Sequence, residues 1–395
     1  MIDTAQELKS LVHRARRLHS VALDTEFVWE RTYYPQLGIV QVALSPEECF
    51  LVDAVALEDL SPLGDLLADP GVVKILHDAQ QDLTILCRVT GAGARNVFDT
   101  RIAAGFAGLS ATTSLRDLLV QVVGVELEKG ETRTNWLHRP LSPRQVDYAI
   151  DDVRYLQGAR QALLARGDER GLTAWLDEEL IPLDDASLYE ENDPHTYFQR
   201  IKTNRPLAPR DLAVLRELGA WRESEAQRRD RPRSHIVADK ALVSLARRKP
   251  RNMRALKSVN SLSSRGIERY GKALLEQVER GLEVDEAQWP PPLLFPADKK
   301  HLDERADEFW KHIEARGGEC GLDPGLVASR SEIKDLICAG ENGDHRLLRG
   351  WRRQLLGEDF LRELAQQPAM CMRRRPSNSR RRRTSNRKTH GPAQD

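Results

Sequence analysis

The chain has 395 residues, 40% of them hydrophobic and 30% charged, with 60 Lys+Arg against 60 Asp+Glu and no formal net charge. That length exceeds a single ordinary core, which stops growing near ~250 residues, so two or three domains are expected. No apolar run approaches the ~20 residues of a membrane helix, the N-terminus lacks the basic start and apolar stretch of a secretory leader, and Cys49, Cys87, Cys320, Cys338 and Cys371 show no CxxC spacing. These features disfavour a membrane span, export, a disulfide framework and a cysteine zinc site, and a cytoplasmic location is expected.

Zero net charge conceals a gradient. Residues 1–200 hold 19 Lys+Arg against 32 Asp+Glu, residues 201–370 hold 32 against 27, and residues 371–395 hold 9 against 1. An acidic unit that handles a polyanion needs cations in its site, while basic units elsewhere can hold a phosphate backbone. Ordinary variation between domain surfaces accounts for the gradient about equally well.

In chain order, a helix is predicted near Thr4–Leu18, followed by β-rich runs at Ser20–Asp24, Gly38–Leu44, Cys49–Asp53 and Val72–His77. The first three runs read as a meander. A helix follows around Ala79–Val89, and another opens at Ser142-Pro143, a cap with proline at the first helical position. This alternation predicts an α/β domain over residues 1–200. From about Ala208 the strand signals vanish and helix follows helix, giving a second, all-α domain at 207–288. Trp289-Pro290-Pro291-Pro292 and Phe295-Pro296 cannot continue a helix and mark a connection. A third helical unit is expected at 297–366, with helices near Leu302–Arg316, Ser331–Ala339 and His345–Leu356; the Arg-rich stretch 371–395 reads as a basic disordered tail.

Three places carry acids in suggestive patterns. Asp24 and Glu26 are one residue apart, so a strand turns both toward one face, at what reads as the strand's end. Asp82 follows a buried strand near a helix start, where an acid is also favoured by the helix dipole alone. Tyr148 and Asp152, four apart, share one helical face while Ala149, Val153 and Leu156 turn toward the sheet. Taken singly, each is ordinary surface chemistry, a solvated strand end, a first-turn acid or a surface pair. His77 and His138 read as structural.

The order DxE on a first strand, Asp at a helix start after a later strand, then YxxxD on a helix resembles the tyrosine-type DEDD 3′→5′ exonucleases. Leu23-Asp24-Thr25-Glu26-Phe27, Arg31-Thr32-Tyr33-Tyr34-Pro35, His77–Leu83 and Asn135–Leu141 are similar to the bacterial ribonuclease D family over about the first half of the chain. Leu207–Gly281, with Trp221-Arg222-Glu223 and Asp230-Arg231-Pro232-Arg233, resembles the helicase-and-RNase-D C-terminal (HRDC) module, and 297–366 resembles a second, divergent copy. The resemblance implies a ribonuclease H-like exonuclease domain, a mixed sheet flanked by helices, followed by two HRDC-type domains. It also implies hydrolysis of RNA from the 3′ end with two divalent metal ions, Mg²⁺ or Mn²⁺, and release of nucleoside 5′-monophosphates, in 3′ maturation of tRNA precursors. Asp24, Glu26, Asp82 and Asp152 would be the ligands, oxygen donors that suit hard cations. Tyr148 would orient the attacking water. Phe27, Tyr33, Trp136 and Arg139 are candidates to stack on or clamp the terminal nucleotides, core packing being the competing role. A non-catalytic RNA-binding protein and a DNA-directed exonuclease are the alternatives.

Overall fold

The computed structural model describes residues 1–128, 130, 134–203, 205, 207–291, 295–296, 299–340, 344–366 and 372–373. The Arg373–Arg375 and Arg380–Arg383 clusters therefore lie outside the described residues but for Arg373, as does Pro292 in the proline-rich connection.

The first domain is built on a five-stranded mixed sheet in the order β3-β2-β1-β4-β5, with β1 Ser20–Val28, β2 Gln36–Ala43, β3 Cys49–Asp53, β4 Val73–Leu76 and β5 Val97–Asp99. β1, β2 and β3 form the antiparallel meander that the sequence predicts, and β4 and β5 add in parallel on the other side of β1. Two readings need correction. β1 does not end at Asp24 but runs four residues further, with an irregularity in register between Glu26 and Phe27. β5 has three residues, too short for a periodic signal, and was not foreseen.

The helices of this domain are α1 Ala5–Ala15, α2 Ser61–Leu67, α3 Gln80–Thr90, α4 Thr100–Phe106, α5 Leu115–Val122, α6 Pro143–Arg154, α7 Leu156–Glu169 and α8 Thr173–Leu180. Local chemistry starts the two helices that were most legible. Thr4 accepts the Glu7 N–H at 3.3 Å to cap α1. Ser142 and Gln145 form a reciprocal capping box at α6, at 3.3 and 3.0 Å, satisfying two N–H groups that the first turn would otherwise leave unpaired. α6 then crosses β1, β2 and β3 on one face of the sheet, with Ala149 and Val153 fully buried beneath it.

The second unit holds α9 Pro209–Arg228, α10 Arg233–Ile236, α11 Asp239–Arg248, α12 Met253–Lys257 and α13 Ser264–Glu283, around its own core of residues such as Leu215, Leu218, Leu242, Leu245 and Leu274. The third holds α14 Lys299–Cys320, α15 Pro324–Val327, α16 Arg330–Ala339 and α17 Gly350–Gln366, kinked at Gly357 where φ is 76°. Its apolar residues are continuous with the core of the first domain. The joint is specific: the Arg352 guanidinium grips Glu179 at 2.5 and 2.6 Å, and the indole Nε1–H of Trp351 donates to the same carboxylate at 2.7 Å. Trp351 also stacks on Trp175 and meets Phe106 edge-on. Among the described residues, no helix is long and apolar enough to cross a membrane.

Candidate active site

Period-two geometry places Asp24 and Glu26 of β1 on the face covered by α6. α6 contributes Tyr148 and Asp152, one turn apart and close enough for each to shift the other's proton affinity. Asp82 arrives from the first turn of α3, and its carboxylate accepts a hydrogen bond from the Thr25 hydroxyl. The turn into α3 is held from behind by Asp99 at the end of β5, which accepts the N–H groups of Asp78 at 3.1 Å and Ala79 at 2.8 Å. Asp78 takes a left-handed φ of 63° there, which lets the chain swing from β4 into the helix. Asp99 was not singled out in the sequence because its partners lie 20 and 21 residues away.

The electrostatics show that these four acids share one neighbourhood. Burial raises Asp24 well above the usual carboxylate range, and the charges of Asp82, Asp152 and Glu26 raise it further. Glu26 is pushed up to about 8 by burial, then by Asp152 and Asp82. Asp152 rises to about 7 through burial, against the opposing hydrogen bond from Tyr148. Asp82 rises to about 6 through burial, against the opposing bond from Thr25. Tyr148 is raised by burial and by Asp152, Glu26 and Asp24, so its hydroxyl keeps its proton at any physiological pH.

Buried carboxylates that raise one another's proton affinity are a site short of positive charge. An all-oxygen donor set without cysteine or histidine matches hard divalent cations. Among the described residues, no three acidic, histidine or cysteine side chains already stand close enough to grip one ion. The residues thus fit such a group by chemistry and placement, with side-chain adjustment still required.

The candidate substrate contacts fare differently. Phe27 sits at the β1 irregularity, half-buried beside Glu26. Trp136 is 1% exposed, in a small core with Ile39, Leu51 and Ala149, so its ring is not a stacking platform. Arg139 directs its guanidinium inward, to Asp53 and to the carbonyls of Gly38, Trp136 and His138. Tyr33 lies against the second unit, its hydroxyl bonded to Glu223 and taking a hydrogen bond from Arg233 at 2.9 Å. These three side chains are engaged within the protein in this structure, the packing role that competes with nucleotide contact. His77, read as structural, is held between the Thr100 hydroxyl at 3.0 Å and the Thr113 carbonyl at 3.2 Å.

One contact was missed entirely. The backbone of Gly130 lies against the Tyr148 ring so closely that a Cβ there would fall 2.0 Å from Tyr148 Cε2. A lone glycine in a polar stretch gives no sequence signal for that approach.

Comparison with known proteins agrees with this architecture. The 3′-5′ exonuclease family matches residues 1–167, and the HRDC domain family matches residues 211–278. Ribonuclease D of Desulfotalea psychrophila is 39% identical over 363 residues, covering 91% of this chain and 96% of that protein. Ribonuclease D of Escherichia coli K12 is 34% identical over 374 residues, 93% of this chain and 99% of that protein. The crystal structure of E. coli RNase D, an exoribonuclease involved in structured RNA processing, superposes with a TM-score of 0.81 at 34% identity, covering 93% of this chain and 98% of that one. A non-catalytic binding protein is thereby set aside. The chain belongs to the ribonuclease D family and is a 3′→5′ exoribonuclease with an α/β exonuclease domain followed by an HRDC helical region.

Proposed function

We propose that Asp24, Glu26, Asp82 and Asp152 together hold two divalent metal ions, Mg²⁺ or Mn²⁺, and that the chain hydrolyses RNA from the 3′ end, releasing nucleoside 5′-monophosphates in the maturation of tRNA precursors in the cytoplasm. The observation that carries this reading is the convergence of four carboxylates from β1, α3 and α6, each raised by burial and three of them by one another. Bound there, the cations supply a nucleophilic water at neutral pH and compensation for charge on the attacking and leaving oxygens.

The chain's own groups do the rest. Thr25 holds one oxygen of Asp82. Asp152 lies one helical turn from Tyr148 on the same face and can receive its hydroxyl, which would set the direction of that group. Because burial and neighbouring acids keep that hydroxyl protonated, Tyr148 orients the attacking water and does not itself remove a proton. The second unit, residues 207–288, holds 18 Lys+Arg against 12 Asp+Glu and follows an acidic catalytic domain, which suits it to hold the body of a structured RNA by its phosphates. The E. coli relative, described as an exoribonuclease involved in structured RNA processing, supports the substrate class.

The test is a 5′-labelled tRNA precursor with a 3′ extension, incubated with Mg²⁺ or Mn²⁺ beside a matched DNA strand. A ladder shortening by single nucleotides, mononucleotides carrying a 5′-phosphate and preference for RNA are expected. Dinucleotide products, or equal rates on DNA, would overturn the product and substrate assignments respectively.

A further inference from the structure

In the antiparallel pair of β1 and β2, Asp24 stands directly opposite Gln41, and Gln41 in turn stands opposite Leu51 of β3. Directly paired residues point their side chains to the same face, with Cβ atoms about 4.5–5.5 Å apart. The Gln41 side chain therefore shares the face of Asp24 and Glu26, beneath α6. It is 0% exposed. Both ends of its carboxamide, Nε2 and Oε1, are buried without a hydrogen-bond partner.

A fully buried primary amide with neither end paired is uncommon, because each lost hydrogen bond to water goes unreplaced. An apolar residue of the same length would suit a purely structural position better. The neighbouring carboxylate supplies what the amide lacks. Asp24 carries two oxygens with room for several donors. The terminal torsions of Asp and Gln are broad and soft, so a modest rotation joins Nε2–H to an Asp24 oxygen. At the other end, the indole Nε1–H of Trp136 is also buried and unpaired. Trp136 packs with Ile39 and Leu51, which flank Gln41 along β2 and across to β3, so it is a matching donor for Oε1.

We propose that Gln41 is a positioning residue for Asp24: its amide donates to the Asp24 carboxylate and fixes the orientation in which that carboxylate serves hydrolysis and cation binding. This rests on the reading that Asp24 belongs to the reaction centre. Partners of this kind, one step behind a ligand, alter metal affinity or activity by about 10- to 100-fold when removed.

Gln41→Met keeps length and volume but removes the hydrogen bonds. Calorimetric titration of the full-length protein with Mn²⁺ alone, kcat and KM on a short RNA, and the melting temperature are measured together. The expected result is Mn²⁺ affinity and kcat each lower by about 10-fold or more, KM unchanged and the melting temperature unchanged or higher. Gln41→Asn, which withdraws the amide by one methylene, must fall in the same direction and serves if the Met variant does not fold. Wild-type affinity and kcat in a folded Gln41 variant overturn the assignment, provided Asp24→Asn loses both. If Asp24→Asn also keeps both, the reading of Asp24 itself has failed.

Discussion

Arg139 and Asp53 form a two-pronged ion pair, Nε to Oδ2 and Nη2 to Oδ1, each at 2.6 Å. The remaining three N–H groups of Arg139 go to the carbonyls of Trp136 at 2.9 Å, His138 at 2.9 Å and Gly38 at 3.0 Å, so all five donors are used within the domain. Asp53 also accepts the N–H groups of Val55 and Ala56, and the carboxyl is held below its usual range by Arg139 and these backbone donors against the effect of burial. The pair locks the segment leading into α6 onto the end of β3, and through α6 it sets where Tyr148 and Asp152 sit.

Arg139→Lys is therefore predicted to destabilise the protein. A lysine cannot reproduce the fork, and breaking a mostly buried pair costs about 2–4 kcal/mol, less than a fully buried one because Asp53 keeps its backbone donors. Urea unfolding checks this. A nucleotide clamp would instead show unchanged stability with a raised KM.

The crowded carboxylates give stability a pH dependence that chelation exposes. Folding raises Asp82 to about 6, Asp152 to about 7 and Glu26 to about 8, so between pH 4 and pH 8 these three groups bind more protons in the folded chain than in the unfolded one. By linkage, stability is full below the unfolded values and is lost as pH rises through the folded ones. In EDTA the melting temperature is expected to fall by about 5 °C or more between pH 5 and pH 8. Excess Mn²⁺ closes most of that gap. A melting temperature in EDTA that is flat or rising over this range would contradict the convergence of charge.

The loop after β1 is latched to the second unit. The N–H groups of Tyr33 and Tyr34 both donate to Asp230 Oδ1, at 2.9 and 3.0 Å, and Arg233 lies 4.7 Å from the centre of the Tyr33 ring. Glu223, fully buried, receives the Tyr33 hydroxyl and both prongs of Arg233 at 2.6 Å. Asp230→Ala is expected to cost about 1–3 kcal/mol by leaving two amides without their acceptor. Hydrogen exchange at residues 29–35 should quicken by at least tenfold, a change that a surface residue without this role would not produce.

Gly130→Ala tests the close approach to Tyr148. A methyl group 2.0 Å from the ring must displace either the loop or the tyrosine. Activity on a short RNA should fall by about 10-fold or more, since small misplacements of an orienting group are costly. The melting temperature should move little. Unimpaired turnover would show that the ring position is not critical.

What the sequence disclosed follows from how local each signal is. The DxE pair, the YxxxD pair and the Ser142–Gln145 box depend on strand or helix periodicity over a few residues, and all three sit where those periods place them. Asp99, Gln41 and Asp53 act through partners 20 or more residues away or across a strand register, which no short-range pattern encodes. For Tyr33, Trp136 and Arg139, residue type indicates what a side chain can bind, but burial decides what it meets. The β1 extension past Asp24 escaped notice because Thr25 and Glu26 are polar, and strand readings favour apolar runs.

The most direct examination of the central claim is a crystal of the protein soaked with Mn²⁺ and a nucleoside 5′-monophosphate, with data collected at the manganese edge. Two anomalous peaks are predicted among the carboxylates of Asp24, Glu26, Asp82 and Asp152, with the Tyr148 hydroxyl turned toward the phosphate. Manganese bound only elsewhere, with these four side chains contacting no ion, would contradict the account.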